Sequence, residues 1–451
     1  MDDSLSIRKL NSASLKASFH SIPWSCKGRV TDVVGTLIEA TLPGAHVGSI
    51  VSIKAPDRRE AILAEVVGFR KERVLLLPYS HLQGVSPGST IEHVKSFAEV
   101  PLGDHLLGRI VDPFLQTLDT GESLIREELP TFNIDREAPN PIERERIHKA
   151  LGLGIRAMDA LLTFGEGQRI GIMAGSGVGK SVLMGMISKK SEADVNVIAL
   201  IGERGREVRE FIERDLGPEG LARSVLVVVT GDQSPLMRIR GAKLATSIAE
   251  YFSHSGRSVM LMIDSLTRVA MAQREIGNAV GEPPTTKGYT PSVFSLLPKL
   301  LERAGPQKKG RGPISGLYTV LVDGDDFNDP VADAVRSILD GHIVLTRELA
   351  VKGHFPAIDI GASASRVMSD IVAPAHWQQT NYFRELLGTY NGALDMIQIG
   401  AYQAGTNPKL DEAIRLMPVM ENFLKQGIRE SCTLDEATLG LRRVLMGQAH
   451  K

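Results

Sequence analysis

QRIGIMAGSGVGKSVLMGMIS, residues 168–188, decides the fold. A short apolar run, 169–173, enters a glycine-rich turn, and the turn opens a helical stretch, 180–188. Strand, glycine-rich loop and helix in that order form a phosphate cradle. Outward from it the same alternation repeats: 195–201 reads as strand and 206–216 as helix, followed by 225–229, 237–252, 259–263, 317–322, 331–339 and 342–345. Short, continuously apolar strands separated by helices predict a parallel sheet covered on both faces, an α/β P-loop core.

On the N-terminal side the pattern changes. Runs rich in Val, Ile and Leu at 35–40, 62–68 and 73–77 alternate with Pro43-Gly44, Pro56-Asp57 and Pro87-Gly88, which predicts a small β-barrel or sandwich. Residues 127–147 carry Pro130, Pro139 and Pro141 among many charges and read as an extended connector. Beyond about residue 370 the strands cease, and 408–426 and 435–445 read as helices. The expected divisions are an N-terminal segment (1–27), a β-barrel (28–99), the P-loop core (100–370) and a helical domain (371–451).

Composition narrows the function classes. The 52 Lys and Arg nearly cancel the 53 Asp and Glu, so the basic excess that draws proteins to nucleic acid is missing. Cys26 and Cys432, far apart and without CxxC spacing, suggest neither a disulfide framework nor a structural zinc site. The first twenty residues contain no apolar signal core, and no stretch approaches the roughly 18 apolar residues of a membrane span, so a cytoplasmic protein is expected.

In AGSGVGKS the glycines 175, 177 and 179 permit backbone conformations in which successive N–H groups point at phosphate oxygens. The expected nucleotide contacts are Gly175, Ser176, Gly177, Val178, Gly179, Lys180 and Ser181. Lys180 supplies a charge for the β- and γ-phosphates of ATP, and the Ser181 hydroxyl is a Mg²⁺ ligand. The loop departs from GxxxxGK[ST] at its first position, which is Ala174. Asp264 ends the apolar run 259–263 at the same sheet edge and is the second expected Mg²⁺-holding group.

Together with IGERGRE (201–207), MIDSLTR (262–268), FPAID (355–359) and SASR (363–366), the P-loop resembles that of the RecA-like rotary and export ATPases. QREIGNAVGEPP (273–284), DDFNDPVADAVRSILDGHIVL (325–345) and IQIGAYQAGTNPKLDEAI (397–414) are similar to the flagellar protein-export ATPases, with the virulence type III secretion ATPases as the alternative. The resemblance implies an ATP hydrolase that powers protein export. It assigns Glu203 to orienting the attacking water, Arg204 to phosphate charge in cis with Glu207 in support, and Arg268 to a lesser role of the same kind. Phe355 takes the position of an aromatic residue against adenine. Arg366 matches an arginine inserted into the neighbouring subunit's site, so a homohexamer is implied.

The resemblance also implies partners: a flagellar ATPase regulator at the N-terminus, a coiled-coil stalk protein in the central channel, export-gate membrane proteins and chaperone-substrate complexes, but no nucleic acid. Residues 5–19 place Ile7, Leu10, Leu15 and Phe19 near one face of a docking helix. The loop 277–289 is expected to face the channel, with the C-terminal helices as a collar around the stalk. The enzyme is expected at the cytoplasmic side of the inner membrane, peripherally bound. An RNA-translocating helicase would need a basic groove and stacking aromatics, and a non-catalytic ring subunit would lack Glu203.

Overall fold

The structure is a computed structural model, which describes residues 27–55, 60–94, 98–126, 128–322 and 329–448. The docking helix expected over 5–19 and part of the stretch 325–345 lie outside the described residues. The chain divides into two compact units, Met1–Phe97 and Ala98–Lys451.

The first unit is a closed barrel of six strands: β1 (Lys27–Val34), β2 (Leu37–Thr41), β3 (Ile50–Lys54), β4 (Ile62–Arg70), β5 (Arg73–Pro78) and β6 (Thr90–His93), in the order β1-β2-β5-β4-β3-β6. Alternating side chains fill it, among them Val30, Ile38, Val51, Ile53, Val66 and Leu76. The sequence left barrel and sandwich open. Pairing of β1 with β6, Gly28 opposite Ile91, closes the sheet and selects the barrel.

In the second unit a two-stranded sheet pairs β7 (Glu99–Pro101) with β9 (Thr131–Asn133). The main sheet holds eight strands in the order β16-β15-β10-β14-β13-β11-β12-β8. They are β8 (Ile110–Val111), β10 (Arg169–Ala174), β11 (Val195–Glu203), β12 (Ser224–Thr230), β13 (Val259–Asp264), β14 (Ile314–Leu321), β15 (Gly341–Leu345) and β16 (Ile358–Ser365). All pair in parallel except β16, which runs antiparallel to β15 at one edge. The central strands are buried on both faces, as their uninterrupted apolar runs require.

β16 did not announce itself in the sequence. IDIGASAS has only two apolar β-branched residues, and its pairing with β15 is interrupted between His342 and Val344. The stretch read as a connector is hydrogen-bonded into this unit: Arg144 donates to the carbonyl of Ala304 at 2.8 Å, and Glu145 N donates to Gln307 O at 3.1 Å. The helices Pro374–Gly392, Pro408–Leu424 and Leu434–Leu445 share one hydrophobic core with the ATPase strands, through Phe383, Leu416 and Leu441 beside Leu161 and Ile172. Cys432 is buried there, and burial pushes its thiol up to about 11, which makes it a poor nucleophile. Among the described residues no helix is long and apolar enough to cross a membrane.

Candidate active site

Three parallel strands deliver their C-terminal ends to one edge of the sheet. β10 leads into the loop 175–179, β13 ends at Asp264, and β11 ends at Glu203. In the loop, Gly177 (φ 80°) and Gly179 (φ 91°) are left-handed, the conformation that glycine reaches without strain. The helix Lys180–Lys190 begins immediately after, so its unpaired N–H groups face the space above the loop. Ser176 is exposed, Val178 is buried beneath the loop, and Ser181 is half-buried on the first helical turn.

The Lys180 ammonium reaches over β14 to Asp264 Oδ1 at 2.5 Å and lies 3.5 Å from Glu203 Oε1. From β14 beneath it, Thr319 donates its hydroxyl to the same Asp264 oxygen at 2.6 Å. Asp264 is only 3% exposed, so both contacts act in a weakly screened environment. Burial draws the Lys180 pKa down, but the charges of Asp264 and Glu203 outweigh it and leave the ammonium more firmly protonated than an ordinary lysine. Burial also acts on Glu203, and with the Asp264 charge it pushes the carboxyl up to about 7 despite Lys180. A half-buried carboxylate poised near neutrality suits proton acceptance from water.

The local backbone aims this carboxylate. Strand pairing between β11 and β12 slips between Ile201 and Glu203, and Gly202 at that point is left-handed with φ 77°. A Cβ there would lie 2.9 Å from Cγ of Arg268, whose stem packs against the glycine. Gly202 and Thr319 are residues that sequence reasoning missed. The G of IGER was a visible signal for the first, whereas Thr319 needed the strand order.

The remaining predicted residues separate into three places. Arg204 is 87% exposed in its side chain and pairs with Glu207 at 3.6 Å, directly beside Glu203 in the chain. Phe355 precedes β16; its ring carbons Cδ1 and Cε1 lie 3.7 Å from where a Cβ on Gly179 would stand, and it is 47% exposed. It is therefore not a core side chain. Arg366 follows β16 at the opposite end: Leu345 pairs with Ile358 on the P-loop side, and Gly341 with Ser365 on the far side. Its N–H donates to Asp340 O at 2.9 Å and its guanidinium to Arg336 O at 3.2 Å.

Comparison with known proteins accounts for both units of the chain. The nucleotide-binding domain of the ATP synthase alpha/beta family matches residues 154–365, and the beta-barrel domain of the same family matches 30–95. The T3SS EscN ATPase C-terminal domain matches 372–443. The flagellum-specific ATP synthase of Bacillus subtilis is 54% identical, with 92% of this chain and 94% of that protein covered. The type 3 secretion system ATPase of Sinorhizobium fredii is 46% identical, with 93% and 92% covered. The assembled ATPase EscN of the enteropathogenic E. coli type III secretion system superposes with a TM-score of 0.87 at 45% identity, covering 93% of this chain and all of that one. The same protein in complex with its central stalk EscO gives 0.84 at 44% identity. With the P-loop, the two carboxylates beside it and all three domain matches in one chain, it belongs to the family of flagellum-specific ATP synthases and type III secretion ATPases and is an ATP-hydrolysing enzyme of protein export.

Proposed function

We propose that this chain hydrolyses Mg-ATP as one subunit of a homohexameric ring and so drives protein export through the flagellar apparatus. The observation that carries the reading is the placement of Lys180, Glu203 and Asp264 at one sheet edge while Arg366 stands at the other end of its own sheet. Loop N–H groups and Lys180 bind the phosphates; Glu203 orients the attacking water and takes its proton; Arg204 adds positive charge from the exposed side. Ser181 and Asp264 are hard oxygen donors that fit Mg²⁺, which prefers few protein ligands and completes its shell with phosphate and water. When bound, the ion neutralises charge on the β- and γ-phosphate oxygens. Phe355 offers a ring face to adenine beside Gly179.

Arg366 is assigned to the neighbouring subunit's nucleotide, so each site is completed by two copies of one polypeptide. A regulator at the N-terminal segment 1–27, a coiled-coil stalk contacting the loop 277–289 and the helices of 371–451, export-gate membrane proteins and chaperone-bound cargo complete the reading. So does peripheral attachment at the inner membrane from the cytoplasm. The barrel 28–99 and the core 100–370 are the proposed domains. The assembled relative with its central stalk supports the ring and the stalk contact, and the relatives' names support the flagellar over the virulence system.

Mixing Arg366→Ala subunits with Glu203→Gln subunits tests the composite site. Each variant alone is nearly inactive, whereas mixed rings contain interfaces that join an intact Glu203 to an intact Arg366 and recover activity. Crosslinked rings shown to hold both variants, yet without recovered hydrolysis, would exclude the trans assignment.

A further inference from the structure

Gln426 lies where the helix Pro408–Leu424 gives way to the loop before Leu434–Leu445, far in sequence from every residue assigned to the reaction. It is 6% exposed and fully engaged. Its backbone N–H donates to the carbonyl of Phe355 at 2.9 Å. Its side-chain Oε1 accepts from Arg156 N at 2.8 Å, and Nε2 donates to Gly154 O at 2.8 Å and Glu430 O at 3.1 Å. Arg156 closes the same knot: Nε donates to Phe423 O at 2.9 Å, and Nη2 donates to Lys425 O at 2.6 Å and Glu430 Oε2 at 3.0 Å.

The carbonyl of Phe355 is thus bonded to the backbone of Gln426, and the amide side chain of Gln426 anchors that backbone to Gly154 and Arg156 and to Glu430 in the loop between the C-terminal helices. A buried amide with every polar atom satisfied holds its own backbone in one place, because any displacement strands buried donors and acceptors. Phe355 itself is half exposed, so packing alone does not hold its ring over Gly179.

We propose that Gln426 is a positioning residue for nucleotide binding: it fixes the Phe355 ring at the base-binding end of the P-loop and links that end to the C-terminal helices. The inference rests on the assignment of Phe355 to adenine. The hydrogen bonds of Gln426 go to Phe355, Arg156, Gly154 and Glu430 and not to the phosphate loop 175–181, so its effect is confined to ligands that carry a base.

The test measures the affinity of the full chain for ADP and for inorganic tripolyphosphate, which lacks a base, by titration calorimetry. Gln426→Ala is expected to weaken ADP about threefold to tenfold, the equivalent of about one net hydrogen bond, and to leave tripolyphosphate unchanged. In a Phe355→Ala background the same substitution is expected to add no further loss, since the two act on one contact. Should Gln426→Ala fail to fold, Gln426→Met keeps most of the volume while losing the side-chain hydrogen bonds to Arg156 N, Gly154 O and Glu430 O, and the same pattern is expected. Equal weakening of ADP and tripolyphosphate, or additive losses with Phe355→Ala, would overturn the inference and leave Gln426 a structural residue. If Phe355→Ala weakens ADP while Gln426→Ala changes nothing, the positioning role alone fails. If Phe355→Ala leaves ADP affinity unaltered, the adenine assignment itself is wrong and this inference falls with it.

Discussion

Phe355 and Arg366 flank opposite ends of one strand, β16: the ring lies beside Gly179, whereas Arg366 follows Ser365, whose partner Gly341 stands four residues along β15 from Leu345, the partner of Ile358, about 13 Å at about 3.3 Å per residue. In its own subunit Arg366 therefore stands remote from Lys180. Arg366→Ala is expected to reduce turnover about 10³-fold, the cost of a lost trans arginine. Affinity for ADP and thermal stability remain those of the parent. Steady-state hydrolysis beside calorimetric titration decides it; a parallel loss of ADP binding would contradict the placement.

Lys180→Ala is expected to lower turnover by more than about 10²-fold, because a preorganised charge aimed at the phosphates is removed. Near-normal hydrolysis would refute the P-loop assignment. Circular dichroism is expected to show an intact fold, since Thr319 still bonds the Asp264 carboxylate.

Glu203 links activity and stability to pH with opposite signs. Burial raises its carboxyl from 4.5 to about 7, so the ionised, proton-accepting form gains population as pH rises through about 7, and single-turnover hydrolysis is expected to climb there. For stability, the folded chain binds a proton between these values that the unfolded chain has released. Stability therefore falls as pH rises across that window, and the full cost is present above about 7. Glu203→Gln removes both effects: ATP still binds, hydrolysis is nearly lost, and the melting temperature exceeds the parent's at pH 8 but not at pH 5. A lower melting temperature for the variant at pH 8 would contradict the raised pKa.

Gly202→Ala places a methyl group against the stem of Arg268 and forces a left-handed backbone on alanine. The strain is about 1 kcal/mol. Displacing Glu203 by even about 1 Å is expected to cost about 10²-fold in turnover with ADP binding retained. Equal losses in both would show that the bulge shapes the phosphate loop instead of aiming the carboxylate.

Much of this architecture was readable in advance because its signals are local. The P-loop glycines, the buried strands β10 to β13 and the carboxylates at their ends depend on short-range pattern, and parallel strands bring their C-terminal ends together by topology. What stayed hidden depends on long-range pairing. β16 lacks a β-branched run, so neither the strand nor the separation of Phe355 from Arg366 could be inferred. Thr319 beneath Lys180 required knowing that β14 lies between β10 and β13. The exposure of Phe355, the barrel's closure and the common core of Phe383 with Leu161 are likewise properties of packing, which no window of sequence contains.

The antiparallel edge strand gives the proposed assembly a direction. In that assembly one end of β16 would meet the base held by its own chain, and the other would reach the phosphates of the next chain. A subunit crippled at Phe355 thus harms its own catalytic event, and one crippled at Arg366 harms its neighbour's. Around a closed circle the dependence runs one way, so clockwise and anticlockwise are chemically distinct even though every member is identical.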